Sequence, residues 1–326
     1  MQISFNKQGY DPFIDFIKAY AIICVLFGHT FPKLNLLGYG LWAGMQVPLF
    51  ILVQVFHFFK KERPLLDIRK VLLRVFIPFI FVEFLLFVVL LGVFHINHTE
   101  LVTRFLHSGG LGPGSYYPWI YLQVALILPF FFKWMQKRSK LQLAIVFLLI
   151  CEALEFVAAL IDFPDWIYRL FLFRYLFLFY LAWIWVKDGI VINRTTVILS
   201  LISFTSIIYF EYFSINDEPF FYNTVWKFHR WPCYYYVAIL GTFMLNCIFK
   251  TISKYPQMRR AIKMLARCSY EIFLVQMFVC QVFPSLSCIS EGFLRTALKI
   301  FLIFAISIIG GYYFNRYYNS IVLKKI

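Results

Sequence analysis

Charge is scarce in this chain. Only 14% of its 326 residues are Asp, Glu, Lys or Arg, against about a quarter in a soluble globular domain, so a water-facing surface cannot be built from this composition. That excludes a soluble enzyme, a secreted disulfide scaffold and a disordered tail. Paired cysteines are missing too. The seven cysteines include no CxxC and no Cys/His cluster with zinc spacing. Odd in number and lying mostly in or beside apolar runs, they read as small core residues. No small-x-small cleavage site closes the first apolar stretch, which is too long for a signal h-region, so no cleavable signal peptide is expected. No internal repeat, low-complexity tract or soluble appendage is visible, which leaves residues 1–326 as one domain.

What is present is apolar: 62% of the residues are hydrophobic and 21% aromatic, in runs of the length a bilayer demands, about 20 residues per helix. Runs such as Phe79–Phe94 do not alternate apolar with polar residues as barrel strands do. The chain therefore reads as an all-α polytopic membrane protein. Ten transmembrane helices are predicted near 13–31, 41–59, 71–94, 116–134, 141–161, 168–186, 195–213, 232–249, 269–285 and 293–315. The net charge of +15 is no nucleic-acid signal, because the basic residues sit between apolar runs and not along one face. With the N-terminus inside, 22 of the 31 Lys and Arg fall in cytoplasmic segments and 8 on or near the other side, with Lys18 inside the first helix. That asymmetry predicts both termini in the cytoplasm. Tyr and Trp clusters at Tyr116–Trp119, Tyr234–Tyr236 and Tyr312–Tyr313 fall at span ends and read first as interfacial belts.

An ionisable group in hydrocarbon costs a few kcal/mol and asks for a partner or a purpose. The first helix carries two, Lys18 and His29. Eleven residues make about three turns, so both lie on one face, roughly 16 Å apart along the axis. A neutral histidine accepts a proton from a hydroxyl near pH 7, while a lysine suits an anionic ligand. The plainer alternative is that Lys18 snorkels to the headgroups and His29 bonds a neighbouring carbonyl. Glu152 and Glu155, three apart on one helix face, read either as an acid/base pair or as a structural pair bonded to Arg174. Gln54, Gln123 and Gln276 suit interhelical hydrogen bonds; Glu83 and Glu211 are further intramembrane carboxylates. The dense cations from Lys60 to Arg74 follow the positive-inside rule or offer phosphate contacts. The external segment His95–Ser115 carries three histidines and Glu100, and no metal set is expected there. Its run Gly109-Gly110-Leu111-Gly112-Pro113-Gly114 lacks the Lys-Ser/Thr of a phosphate loop and reads as a flexible lid or simple loop.

Ile14-Asp15-Phe16-Ile17-Lys18-Ala19-Tyr20-Ala21-Ile22, followed by Gly28-His29, resembles the opening helix of the membrane acyltransferase 3 family, whose signature is an Arg, ten residues and a His. Four further stretches resemble family segments in order: Val47-Pro48-Leu49-Phe50, the Arg69–Arg74–Pro78 run, Trp119-Ile120-Tyr121-Leu122-Gln123 to Pro129, and Ser269-Tyr270-Glu271-Ile272-Phe273-Leu274-Val275. The departures are Lys18 for the arginine, Gln54 where a small serine is frequent, and Gln276 where a histidine often follows.

The resemblance implies an integral, multi-pass enzyme of a bacterial inner membrane that moves an acyl group, usually acetyl, from cytoplasmic acetyl-CoA to a hydroxyl of a glycan or lipid-linked sugar. No permanently bound cofactor and no metal is implied. Carried over, His29 is the catalytic histidine, Lys18 joins it as a catalytic residue standing near the donor, and Arg69 and Arg74 are candidates for the CoA phosphates. Direct transfer is favoured, because no cysteine or serine pairs obviously with His29. On the acceptor side, Tyr116, Tyr117, Trp119 and Trp231 are placed to stack on sugar faces, with Gln123 and Arg174 as further contacts. The rival from another class is a glycan or lipid flippase or small-solute transporter, which would depend on Glu152, Glu155 and Glu211. No inverted repeat or matched pair of broken helices supports it. A non-catalytic membrane scaffold is a third reading.

Overall fold

The apolar runs form helices whose two faces differ in what they touch. On the helix Ile68–Gly92, Val75, Phe79, Val82, Glu83, Leu86 and Leu90 are buried, while Ile77, Ile80, Phe81, Phe84, Leu85, Val88 and Leu91 are exposed. Both sets recur at helical spacing. An exposed stripe this apolar is stable against lipid tails and not against water. The computed structural model describes residues 1–6, 9–30, 46–60, 68–216, 232–283 and 293–322, without the side chains of 165, 209–216 and 293–296.

Among those residues the main helices are α1 (Pro12–Thr30), α2 (Gln46–Lys60), α3 (Ile68–Gly92), α4 (His98–Ser108), α5 (Tyr116–Met135), α6 (Lys140–Leu160), α7 (Phe177–Lys187), α8 (Arg194–Asn216), α9 (Cys233–Ile252), α10 (Pro256–Val282) and α11 (Phe293–Ile321). Every predicted span has a helical counterpart. Seven helices are long and apolar enough to cross a membrane: α1, α3, α5, α6, α9, α10 and the Ala297–Ile321 part of α11. The apolar α2 and the part of α8 up to Ile208 are shorter. α7, at 11 residues, is shorter still, and the chain before it makes only short turns at Asp165–Tyr168 and Leu172–Tyr175. The predicted segment 41–45, the cations Lys61 and Arg63, and the side chains of Glu211 and Trp231 lie outside the described residues.

Two elements were not anticipated. The segment expected to be a simple loop contains α4, capped at its start by Asn97, whose side chain accepts from the Thr99 N–H, and at its end by left-handed Gly109. A two-stranded antiparallel sheet pairs β1 (Gln2–Ile3) with β2 (Ile190–Val191). α10 also begins a dozen residues before its predicted span, so the basic stretch Arg259–Arg267 is helical rather than loop.

α1 stands between two buried clusters. Its first half (Phe13, Ile14, Ile17, Ala21) packs with α2, α5, α7 and α9. Its second half (Ile22, Val25, Leu26) packs with α3 and α10. α10 in turn makes its most extensive contacts with α11 and α1. The seam between the clusters is where the interior is hollow. The Tyr234–Tyr236 group belongs to this packing: Tyr234 and Tyr236 are buried in the first cluster, and Tyr234 stacks on Tyr175 at 6.0 Å.

Candidate functional site

The hollow is a cavity of about 630 Å³ walled by α1, α2, α3, α5, α10 and α11, within the size range of small-molecule sites. Lys18 and His29 both border it, so the face of α1 that carries the two ionisable groups is the face turned to the void. Lys18 has a local counter-charge: its Nζ lies 3.7 Å from Asp15 one turn earlier. Asp15 also accepts from the Tyr10 hydroxyl at 2.5 Å. Burial, together with that carboxylate, pushes the Tyr10 hydroxyl up to about 12, which keeps it a donor at neutral pH.

Arg74 borders the cavity from a distorted turn of α3. Pro78 has no N–H and its ring clashes with the carbonyl four residues back, that of Arg74. The helix widens to a π turn over Leu72–Phe76, in which the Ile77 N–H bonds Leu72 O. Leu73 O, relieved of its usual partner, accepts from the Tyr318 hydroxyl of α11, and Val75 O accepts from the Tyr270 hydroxyl of α10 at 2.6 Å. The turn that presents Arg74 is thus clamped by two tyrosines from the opposite wall. Arg267, on the same stretch of wall as Tyr270 and Glu271, also borders the cavity and was missed in the sequence, where it counted only as one more cytoplasmic cation.

At the other end, Gly114 comes against His29. Gly114 has φ +86°, and a Cβ there would lie 3.2 Å from His29 Cε1 and 2.9 Å from Phe273. The glycine run is held and not loose. Leu111 N–H donates to Glu83 Oε2 at 2.6 Å, Gln281 Nε2 to Leu111 O at 2.7 Å, Trp119 Nε1 to Gly109 O at 2.6 Å, and Ser115 Oγ to Gly112 O at 2.7 Å. This corrects the flexible-lid reading, because buried backbone polar groups must find partners and here side chains from three helices supply them. At Gly110 a Cβ would stand 2.5 Å from Glu83 Oε1 and from Ser115 Cβ. Gly110→Ala is expected to destabilise the fold by about 1–3 kcal/mol, read as a lowered Tm in detergent.

The remaining sequence candidates separate. Tyr116 and Tyr117 border the cavity with Tyr121. Trp119 and Gln123 do not, and their polar atoms are committed elsewhere: the Trp119 indole to the glycine run and against Phe76 at 4.8 Å, and Gln123 to Leu170 O and the Leu172 N–H at 2.6 and 3.1 Å. Leu170 and Leu172 lie where the chain passes from one short turn, Asp165–Tyr168, to the next, Leu172–Tyr175, and buried backbone groups there need such a donor and acceptor. Arg174 lies in the second of these turns, within electrostatic range of Glu155. Neither it nor Glu152 nor Glu155 borders the cavity. Arg69 is exposed on α3, five residues before Arg74 and outside the wall. Among the histidines of His95–Ser115, His107 stacks on Trp166 at 4.4 Å.

A family model described as an acyltransferase domain, that of acyltransferase 3, matches residues 11–316. No curated protein and no solved structure shows a match.

Proposed function

Because the chain belongs to the acyltransferase 3 family, and is an acyltransferase with several membrane-spanning helices, we propose that it transfers acetyl from cytoplasmic acetyl-CoA to a hydroxyl of a glycan or lipid-linked sugar. On this reading the chain crosses the inner membrane ten times with both termini in the cytoplasm, an orientation that the excess of cations on one side supports. The observation that carries the reading is one cavity bordered by Lys18, Arg74 and Arg267 and by His29.

The CoA phosphates rest at the mouth on Arg74 and Arg267, whose planar forks match phosphate oxygens. Lys18 adds a point charge deeper in. The pantetheine arm lies along α1, over the roughly 16 Å from Lys18 to His29, and brings the thioester carbonyl to the histidine. His29 takes the proton from the acceptor hydroxyl, and the oxygen forms its bond to the acyl carbon. The C–S bond breaks, and the proton passes from His29 to the departing thiolate, giving the ester and free CoA. Tyr116 and Tyr117 offer the acceptor sugar aromatic faces beside Gly114. The transporter alternative gains nothing from the geometry, since Glu152 and Glu155 stand away from the cavity.

The test is label transfer from radioactive acetyl-CoA to membrane glycolipid. Arg74→Ala and Arg267→Ala are each expected to raise KM for acetyl-CoA about tenfold, the lower range for a hydrogen bond to a charged group, with a smaller effect on kcat. Glycan movement without any acyl donor would instead favour transport.

A further inference from the structure

A histidine that removes a proton needs one ring nitrogen bare and facing the substrate, and which nitrogen is bare depends on what the other one bonds. In this chain the Nδ1 of His29 lies 3.1 Å from Oε1 of Gln276. Gln276 sits on α10 with no exposed surface. Its own amide is turned by Cys280, one helical turn on, whose Sγ accepts from Gln276 Nε2 at 3.1 Å. With the amide nitrogen turned to the sulfur, the amide oxygen is the atom that meets His29, and a carbonyl oxygen only accepts. Nδ1 therefore carries the hydrogen, and Nε2 keeps the lone pair. Gly114 comes against the ring carbon between the two nitrogens: a Cβ there would stand 3.2 Å from His29 Cε1.

Building on the acyltransfer reading, we propose that Gln276 is a positioning residue: it holds His29 as the tautomer whose Nε2 accepts the proton of the acceptor hydroxyl. The Nδ1–H stays on the Gln276 oxygen throughout the reaction, so Gln276 neither gains nor loses a proton. Only Nε2 takes one from the hydroxyl and passes it to the thiolate. A neutral amide does this without burying a second charge, which at this depth would cost several kcal/mol unless paired.

The experiment measures steady-state transfer from labelled acetyl-CoA to membrane glycolipid for wild type, Gln276→Met, Gln276→Glu and Cys280→Ala, with acetyl-CoA varied. Methionine keeps the volume and removes the acceptor; glutamate keeps an acceptor in place. Gln276→Met is expected to lose about tenfold or more in kcat with KM for acetyl-CoA within about twofold, the signature of an interaction needed in the transition state and not for donor binding. Gln276→Glu is expected to stay within about threefold of wild-type kcat. Cys280→Ala, which leaves Gln276 in place but unoriented, is expected to lose about threefold in kcat alone, and it carries the test if Gln276→Met does not accumulate. Wild-type kcat in Gln276→Met, an equal fall in the Met and Glu variants, a change confined to KM, or no loss in Cys280→Ala would each overturn the assignment while leaving the acyltransferase reading intact. Absence of acetyl transfer by the wild-type protein would overturn both.

Discussion

Replacing His29 with alanine is expected to lower acetyl transfer by about 10²–10⁴-fold, the range for loss of a positioned general base, with KM for acetyl-CoA little changed. His29 is 11 residues from Lys18, and the phosphate end of the cavity does not depend on it. Lys18→Ala should show the opposite pattern, a raised KM with the larger part of kcat retained. Both proteins are expected to reach the membrane in wild-type amounts, because each side chain faces a void and neither fills a packed core. The measurement is label transfer at saturating and subsaturating acetyl-CoA. A folded His29→Ala protein that transfers at the wild-type rate would remove the histidine from the chemistry.

Gly311→Ala is expected to be strongly damaging for stability. A Cβ at Gly311 would lie 2.6 Å from the N and Cα of Ile272 and 2.5 Å from its Cγ1. Backbone cannot swing aside as a long side chain does, so α11 must move off α10, the helix with which it packs most extensively. Close approach at small residues is what holds helices together where lipid supplies no hydrophobic drive, and overpacking costs about 1–3 kcal/mol or more. Separation would also draw Tyr318 away from Leu73 O and loosen the turn that presents Arg74, so donor affinity should fall along with Tm. Gly92→Ala is the control, since nothing lies within 4 Å of a Cβ there; its Tm should not change. A Gly311→Ala protein with wild-type Tm in detergent would refute the packing described for α10 and α11.

The helical segments could be read from the sequence because apolar runs of bilayer length have few other uses, and Lys18 with His29 could be read because eleven residues return to the same face of a helix. Residues whose roles depend on distant chain were harder. Gln276 is 247 positions from His29, and no spacing rule links α1 to α10. Arg267 was hidden by a rule that was itself sound: an excess of inward cations explains every cytoplasmic arginine alike and so singles out none. Trp119 and Gln123 were drawn toward the acceptor because aromatic and amide groups suit sugars. The structure uses them on carbonyls and an N–H that the short turns before α7 and the glycine run would otherwise leave bare. The widened turn around Arg74 had a visible cause in Pro78, but a proline inside an apolar run signals a kink without saying which side chain the kink delivers.

The small sheet at the chain's start has a consequence for counting. Gln2 pairs with Val191 and Ile3 with Ile190, and the Met1 ammonium donates to Ile192 O at 3.0 Å. Strands that share hydrogen bonds lie on one side of a bilayer, so the chain between residues 3 and 190 must cross an even number of times. The long helices α1, α3, α5 and α6 already supply an even number. Among the described residues of that interval, the short apolar helices α2 and α7 pack against each other, and with α1 and α6 crossing, both must traverse as a couple. Two other contacts obey the same arithmetic. Lys60 Nζ donates to Gly9 O at 2.6 Å across α1 and α2, and Lys140 meets Asp188 at 2.5 Å across α6 and α7. Parity thus ties the shortest apolar helices of the chain to the placement of its first three residues.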